Sequence, residues 1–152
     1  MLEDPDVQRH TLVPSPPPPD FPKQWLARYE EGRRQGTRDG FAIVDADGSF
    51  LGLALVVAID REGRTAELGY YVVAPEARGR GVARRALELL TDWAFSELGV
   101  ERIELRIAAD NPASSRVAER AGYVREGVLR SVHFKQGIRT DQEIWSRLRS
   151  DS

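Results

Sequence analysis

A turn rich in glycine and arginine, set between a predicted strand and a predicted helix, is the feature that most constrains this chain. An apolar strand ends at Pro75, Gly79 and Gly81 follow, and an amphipathic helix begins almost at once. Four arginines crowd the start of that helix: Arg78, Arg80, Arg84 and Arg85. A helix N-terminus already carries about half a positive charge, so these arginines repel it and one another. A multiply charged anion would relieve that conflict, and the segment therefore predicts a pyrophosphate site.

Three apolar segments before this turn have the composition and spacing of β-strands. They predict strands at residues 41–44, 50–59 and 65–73, with Asp- and Gly-containing turns between them. Gly52 interrupts the second strand and indicates a bulge. Together the segments predict an antiparallel meander.

After the glycine turn the pattern changes to alternating helices and strands. An amphipathic helix is predicted from about residue 81 to 98, and strict alternation predicts a strand at 102–107. This strand–helix–strand order makes the strands at 65–73 and 102–107 parallel neighbours. The remaining predicted elements are a helix at 112–121, begun by Asn111 and ended by Gly122, and strands at 123–129 and 142–148. The fold class is therefore α/β, with a mixed and mostly antiparallel sheet.

Two loops follow the carboxyl ends of the predicted parallel strands. One contains Gly79 and Gly81, and the other contains Asn111. Ligands of α/β proteins bind where backbone groups become free at such ends. We therefore expect the two loops to face one cleft.

The first forty residues differ from the rest, although we expect residues 1–152 to form a single domain. The proline-rich stretch at 13–22 must be extended, since each proline fixes its own backbone and restricts the residue before it. It is interpreted as a stiff connector, as a ligand for SH3-like modules, or as a flap in which Phe21 forms a wall of the substrate pocket. A helix is predicted at 23–34, with Trp25, Leu26 and Tyr29 on its apolar stripe and Gly36 near its end.

Composition excludes several classes of function. The chain has no cysteine and only two histidines, which argues against disulfides, thiolate nucleophiles and a metal site. A net charge of −2 does not fit a nucleic-acid binder. The N-terminus is acidic, and no segment is apolar for long enough to be a leader or a membrane span. We expect a cytoplasmic protein without a membrane or nucleic-acid partner.

Two motifs in this order resemble those of the GCN5-related N-acetyltransferases (GNAT). The segment RGRGVA at residues 78–83 is similar to the family's Arg/Gln-x-x-Gly-x-Gly/Ala signature. The segment NPASSRVAERAGY at 111–123 resembles the Asn-x-x-Ser helix of its ribosomal-protein alanine acetyltransferase branch (the RimJ/RimL type). Residues 66–70 also resemble the strand that enters the cofactor loop, so the match runs from about residue 41 to 149.

The resemblance implies acetyl-CoA as donor, a primary amine as acceptor, and a central parallel strand pair that splays around acetyl-CoA. The protein or peptide N-terminal α-amine is the acceptor that the branch implies. The implied cofactor-binding residues are Val72, Val73, Arg78, Gly79, Arg80, Gly81, Val82, Ala83, Arg84, Asn111 and Ser114.

Transfer to an amine needs a base and a group that stabilises or protonates the thiolate. Glu67 is the predicted base, acting directly or through water, and strand alternation places it on the same face as Tyr71. The alternative for Glu67 is a surface ion pair with a neighbouring strand. Ser114 is predicted to lie near the thioester sulfur, its alternative being an ordinary first-turn helix residue. Tyr71 and His133 are interpreted as structural.

The family's usual first strand has no counterpart ahead of residue 41, so we expect the strand at 41–44 to be an exposed edge. A homodimer is one way to cover it. Two other functions stay open at this point: transfer to a small amine or an amine-bearing antibiotic, and a non-catalytic acyl-CoA-binding module. A nucleotide-phosphate binder unrelated to CoA is a third.

Overall fold

The computed structural model describes residues 3–11, 13–72 and 74–151. Its helices are α1 (Pro5–His10), α2 (Phe21–Gln35), α3 (Val82–Trp93) and α4 (Pro112–Arg120). Its strands are β1 (Asp39–Val44), β2 (Phe50–Asp60), β3 (Thr65–Val72), β4 (Arg102–Ala108), β5 (Val124–Lys135) and β6 (Ile138–Leu148). A π-helical turn at Ala94–Leu98 extends α3, and short 3-10 turns lie at Pro75–Ala77 and Arg149–Asp151. Within these ranges no helix has the length and apolar character needed to span a bilayer.

The described strands form one six-stranded sheet in the order β1-β2-β3-β4-β6-β5. All neighbours are antiparallel except β3 and β4, which confirms the predicted mixed sheet and its parallel pair. The parallel ladder joins residues 65–68 to residues 102–105 and then ends. Beyond Leu68 and Leu105 the two strands diverge, and the sheet is open between them.

The main core lies between the sheet and the helices α3 and α4. Leu87 and Leu90 of α3 pack with Leu68, Ile103 and Leu105 of the two central strands. These side chains are at most 5% exposed. The amphipathic pattern of α3 thus gives the helix one buried face, and burying each such side chain contributes about 1.5–3 kcal/mol of transfer free energy.

The helix α2 packs on the opposite face of the sheet, close to β1. A side chain at Gly40 of β1 would meet Tyr29 of α2 and Leu55 of β2, so these three residues adjoin on this face. The helix ends at Gly36, whose φ of 70° is left-handed and whose amide closes the last turn. The predicted helix and its end at Gly36 are confirmed. One face of the sheet is therefore covered by α3 and α4, and the other by α2.

The last two strands are longer than the predicted segments 123–129 and 142–148. The strand β5 continues to Lys135 and β6 begins at Ile138, so the two form a long hairpin around Gly137. Most of the added residues are exposed. Because neither side of these segments is buried, their sequence lacks the alternation of apolar and polar residues that predicts a strand. Pairing between the two backbones, rather than burial, extends these strands.

Two local features bear on the edge of the sheet. The strand β1 is an edge strand of the described sheet, as expected. The register between β1 and β2 shifts after Ile43, which pairs with Gly52, while Val44 pairs with Phe50. The bulge predicted at Gly52 therefore lies beside it, at Leu51. Gly52 itself has no room for a side chain, since a Cβ there would lie 1.8 Å from the Tyr71 carbonyl oxygen.

Candidate active site

The opening between β3 and β4 continues into a cleft of about 740 Å³. One wall carries residues 68–72 of β3 and the turn that follows, and the other carries residues 105–108 of β4 and the start of α4. On the side facing β4, residues 69–72 have no strand partner in the described part of the chain. Their backbone groups can therefore hydrogen-bond to an extended ligand, as an added strand would.

The glycine turn has the backbone conformation that only glycine adopts freely. Gly79 and Gly81 both have a φ of 75°, and Gly81 occupies the N-cap position of α3. A Cβ built on either glycine has nothing within 4 Å, so the turn presents open backbone. Gly79, Gly81, Val82 and Ala83 line the cleft, where the first amides of α3 lack partners within the helix.

The arginines around this turn are not equivalent. Arg78 and Arg84 line the cleft, whereas Arg80 and Arg85 do not. Arg84 contacts Glu88 at 2.8 Å, and Arg85 lies 4.0 Å from the same carboxylate. Arg78 pairs with a carboxylate of the N-terminal segment, described below. The sequence predicted that a bound anion relieves the repulsion among these arginines. In the structure, carboxylates of the chain itself relieve part of that repulsion.

The opposite wall is built around the start of α4. The Asn111 side chain accepts a hydrogen bond from the Ser114 amide at 3.3 Å, which confirms Asn111 as the N-cap. The Tyr70 hydroxyl donates to the Ser114 carbonyl oxygen at 3.3 Å, and burial raises the pKa of Tyr70. Asn111, Ser114 and Tyr70 all line the cleft. The predicted loops therefore do face one cleft, across which Tyr70 connects β3 to α4.

Glu67 lies on the α2 face of the sheet, just before the strands diverge. Its Oε2 atom is 3.9 Å from Nε of Arg106 on β4, so the ion pair considered as its alternative is present. Burial raises the pKa of Glu67, with Arg106 opposing that shift. Burial also raises the pKa of Tyr71, which lies near Tyr29 and Glu67, to about 12. Glu67 itself is not part of the cleft wall, whereas Tyr71 and Arg106 are.

The helix α1, which the sequence patterns did not predict, spans the cleft. Asp4 before it contacts Arg78 at 2.7 Å on the β3 side. Arg9 contacts Asp110 at 2.7 Å on the β4 side, and the His10 Nδ1 atom lies 3.5 Å from the same carboxylate. Asp4 also accepts a hydrogen bond from the Val7 amide at 3.3 Å, a local signal that could have revealed this helix.

Several sequence expectations concern the edges of this site. Phe21 begins α2 and does not line the cleft between β3 and β4, and its place in a wall of the substrate pocket stays a prediction. The proline-rich stretch lies against the β5–β6 hairpin, where Gln136 donates to the Ser15 carbonyl oxygen at 3.2 Å. His133 lies outside the cleft wall, and burial lowers its pKa, assisted by the nearby Lys135 and His10. Val73 falls outside the described residues.

The comparison with protein families gives one match to most of the chain. Residues 1–124 match the family described as acetyltransferase (GNAT) domain. A putative ribosomal N-acetyltransferase, YdaF, of Bacillus subtilis is 30% identical over 146 residues, which is 96% of this chain and 72% of that protein. Spermidine N(1)-acetyltransferase of Vibrio cholerae is 33% identical over 97 residues, which is 64% of this chain and 56% of that protein.

A solved structure has the same arrangement of elements. The crystal structure of spermidine N-acetyltransferase from Vibrio cholerae in complex with CoA and spermine gives a TM-score of 0.76 at 28% identity. The alignment covers 85% of this chain and 76% of that one. The relatives thus share the fold and a CoA-dependent acetyl transfer, but their names differ in the amine that receives the acetyl group.

Proposed function

Because the chain belongs to the acetyltransferase (GNAT) domain family and is an acetyl-CoA-dependent N-acetyltransferase, we propose that its acceptor is the α-amine of a protein or peptide N-terminus. The observation that carries this choice of acceptor is the charge around Glu67, where Arg106 lies 3.9 Å away, and the opening of the sheet beyond Leu68 and Leu105 is where the donor and the amine meet. A donor on the α3 side and an amine on the α2 side can meet there.

The donor site combines three features that fit acetyl-CoA. The unpaired backbone of β3 up to Val72 suits the peptide-like pantetheine arm, as does the amide of Asn111. The turn at residues 79–81 and the first amides of α3 suit the diphosphate, since exposed amides and the positive end of the helix favour an anion. The proposed donor-binding residues are Val72, Arg78, Gly79, Gly81, Val82, Ala83, Arg84, Asn111 and Ser114, with Val73 and Arg80 retained from the sequence prediction alone.

In this mechanism Glu67 takes the proton that the amine loses, directly or through one water. A raised pKa makes its carboxylate a stronger base, and the rate is expected to rise with pH as Glu67 deprotonates. Acetyl-CoA supplies a thioester whose carbon–sulfur bond is exchanged for the new amide bond. Ser114, on the wall opposite β3, hydrogen-bonds to the departing sulfur, and an amide of the open stretch of β3 stabilises the developing oxyanion.

The acceptor assignment rests on charge. Glu67 is accompanied by Arg106 at 3.9 Å, and Arg38 lies over the Tyr29 ring on the same face, 5.9 Å from its centroid. A site for a polycation would carry an excess of carboxylates instead, because buried or half-buried like charges repel. Spermidine is the second candidate, since a similar protein and a similar solved structure, both from Vibrio cholerae, are spermidine N-acetyltransferases.

Release of free CoA thiol tests the proposal. Acetyl-CoA is incubated with N-terminal peptides, spermidine and an aminoglycoside, and the thiol is measured with and without each amine. We expect release with peptides, confirmed by mass spectrometry of the acetylated α-amine. Turnover of spermidine alone would replace the peptide acceptor, and binding of acetyl-CoA without release to any amine would indicate a non-catalytic module.

The exposed β1 edge supports a homodimer as part of the same proposal. Phe41 and Val44 of this strand are 37% and 53% exposed. Pairing between two such edges would bury them. Light scattering that shows only monomer at high protein concentration would exclude this arrangement.

A further inference from the structure

Arg106 lies at the point where the sheet opens, and its guanidinium makes no hydrogen bond to another described residue. Arg106 is the first residue of β4 beyond the parallel ladder, which ends at Leu105. Its side chain is 40% exposed and lines the cleft. On β3 the next residue beyond the ladder is Gly69, which has no side chain to fill the space beside it.

A second arginine on the same face of β4, Arg102, donates hydrogen bonds from all three nitrogens of its guanidinium. Arg102 donates to Glu104 at 3.0 Å through two nitrogens and also to Glu126. It lies in the closed half of the strand pair, where Thr65 pairs with it. Its bonds link β4 to β5, and its role is structural.

Arg106 differs from Arg102 in every one of these respects. Its Nε atom lies 3.9 Å from Glu67, which is longer than the 2.7–2.9 Å typical of a charge-assisted hydrogen bond. Among the described residues, its guanidinium has no hydrogen-bond partner. Arg106 thus lines the cleft with five guanidinium donors that have one loosely placed carboxylate beside them.

Resting on the proposed function, we propose that Arg106 selects acceptors that carry a carboxylate within a few bonds of the reacting amine. The guanidinium binds that carboxylate while the amine lies at Glu67, so the acceptor is held at both ends by opposite charges. The same guanidinium repels a polycation. The carboxylate can belong to an acidic first residue of a peptide or to a free amino acid.

Four acceptors separate these cases. Glu-Ala-Ala amide has a side-chain carboxylate, Gln-Ala-Ala amide is its neutral counterpart, free alanine has only an α-carboxylate, and spermidine is a polycation. For the unmodified protein we expect the highest kcat/KM with one of the two carboxylate acceptors, and which of them leads identifies the source of the carboxylate. The neutral peptide or spermidine being the fastest acceptor would overturn the proposal.

The substitution Arg106→Gln is expected to lower kcat/KM for the carboxylate acceptor by about 10- to 100-fold, the range for a hydrogen bond to a charged group. Gln-Ala-Ala amide and spermidine should lose much less, so that the ratio of kcat/KM for the carboxylate acceptor to that for Gln-Ala-Ala amide falls. Because Arg106 also lowers the pKa of Glu67, this ratio is compared and not either rate alone. Arg106→Lys should recover part of the loss, since it restores charge without the fork. The matched control is Arg125→Gln, because Arg125 also pairs with a carboxylate on a neighbouring strand, Glu143 at 3.3 Å, but lies outside the cleft.

The outcomes distinguish a failure of the role proposed for Arg106 from a failure of the proposed function. An equal loss for all four acceptors, or no loss in any, would overturn the role of Arg106 and leave acetyl transfer intact. Absence of thiol release with every acceptor, in protein that still binds acetyl-CoA, would contradict the proposed function and this inference with it. Thermal unfolding of each variant checks that the comparison is made on folded protein.

Discussion

Residues 65–68 of β3 are hydrogen-bonded to β4 along a parallel ladder, whereas residues 69–72 of the same strand border a cleft. In the closed half, Leu68 and Leu105 are 3% and 2% exposed and pack against α3. In the open half, tyrosine, arginine and free backbone face the space between the strands. One pair of strands thus provides stability at one end and a binding surface at the other, and the two functions should respond separately to substitution.

The largest expected effect tests the chemistry at Glu67, which lies in the ladder next to the point where the strands diverge. Glu67→Gln should lower kcat by ~10²–10⁴-fold if Glu67 accepts the amine proton, because the amide cannot do so. The pH-dependent rise in rate that this carboxyl produces should disappear with it. Steady-state rates across pH, with the folded state checked by circular dichroism, provide the measurement.

A suitable control for Glu67 is Glu126→Gln. Glu126 is a carboxylate on the same sheet that is bonded to Arg102 and lies outside the cleft. It should retain nearly full turnover. Equal rates for Glu67→Gln and the unmodified protein would remove Glu67 from the mechanism.

The next effect belongs to the closed half. Ile103→Ala should reduce the free energy of unfolding by about 2–5 kcal/mol, since it removes a core side chain that lies outside the cleft wall and leaves a cavity. Denaturant unfolding measures this loss. At temperatures where the variant is folded, its KM for acetyl-CoA should stay close to the original value.

Ile138→Ala is the comparison for Ile103→Ala, because Ile138 is 65% exposed at the end of the hairpin. Its expected cost is below about 0.5 kcal/mol. If both substitutions reduce the free energy of unfolding equally, the closed half does not contribute the stability that its burial indicates.

A smaller effect separates donor binding from backbone strain at the glycine turn. Gly81→Val should weaken acetyl-CoA binding by at least ~10-fold, because a side chain would occupy the space above the turn and the left-handed φ of 75° costs about 1–3 kcal/mol. Titration calorimetry gives the affinity, and thermal unfolding gives the strain.

Gly137→Val isolates the strain alone. Gly137 has a φ of 77°, also with nothing within 4 Å of its Cβ position, but it lies in the hairpin turn outside the cleft. The two variants should lose similar stability, while only Gly81→Val loses affinity. Unaltered affinity in Gly81→Val would move the diphosphate away from this turn.

The smallest effect concerns the wall formed by α4. Asn111→Ala should cost about 1 kcal/mol of stability, because the Ser114 amide loses its cap. Asn111→Ser restores a capping oxygen and should recover that stability, yet it should not recover the KM for acetyl-CoA if the longer amide contacts the donor. Recovery of both would make Asn111 a purely structural residue.

Local chemistry made much of this fold predictable. The glycine turn, the N-cap at Asn111 and the left-handed end of α2 at Gly36 each depend on residues a few positions apart. The two loops of the cleft followed from these signals and from the strand–helix–strand order. Acetyl-CoA as donor came from the resemblance that the motifs carry.

Contacts between distant residues were not predictable in this way. Arg9 meets Asp110 although 101 positions separate them, and Tyr70 meets Ser114 across 44 positions. Neither pair leaves a periodic pattern in the sequence. Strand alternation does place Tyr70 on the α3 face and Tyr71 on the α2 face, so the face of Tyr70 could have been inferred, but not its partner.

Within the described sheet, the four-residue ladder is all that joins β1-β2-β3 to β4-β6-β5. Each outer trio is held by far longer antiparallel pairing. The ladder is therefore the shortest backbone connection in the sheet, and the packing of α3 against both central strands supplements it. Amide hydrogen exchange at residues 65–68 and 102–105, compared with exchange in the longer antiparallel pairs, would measure how firmly the two halves of the sheet are joined beside the site.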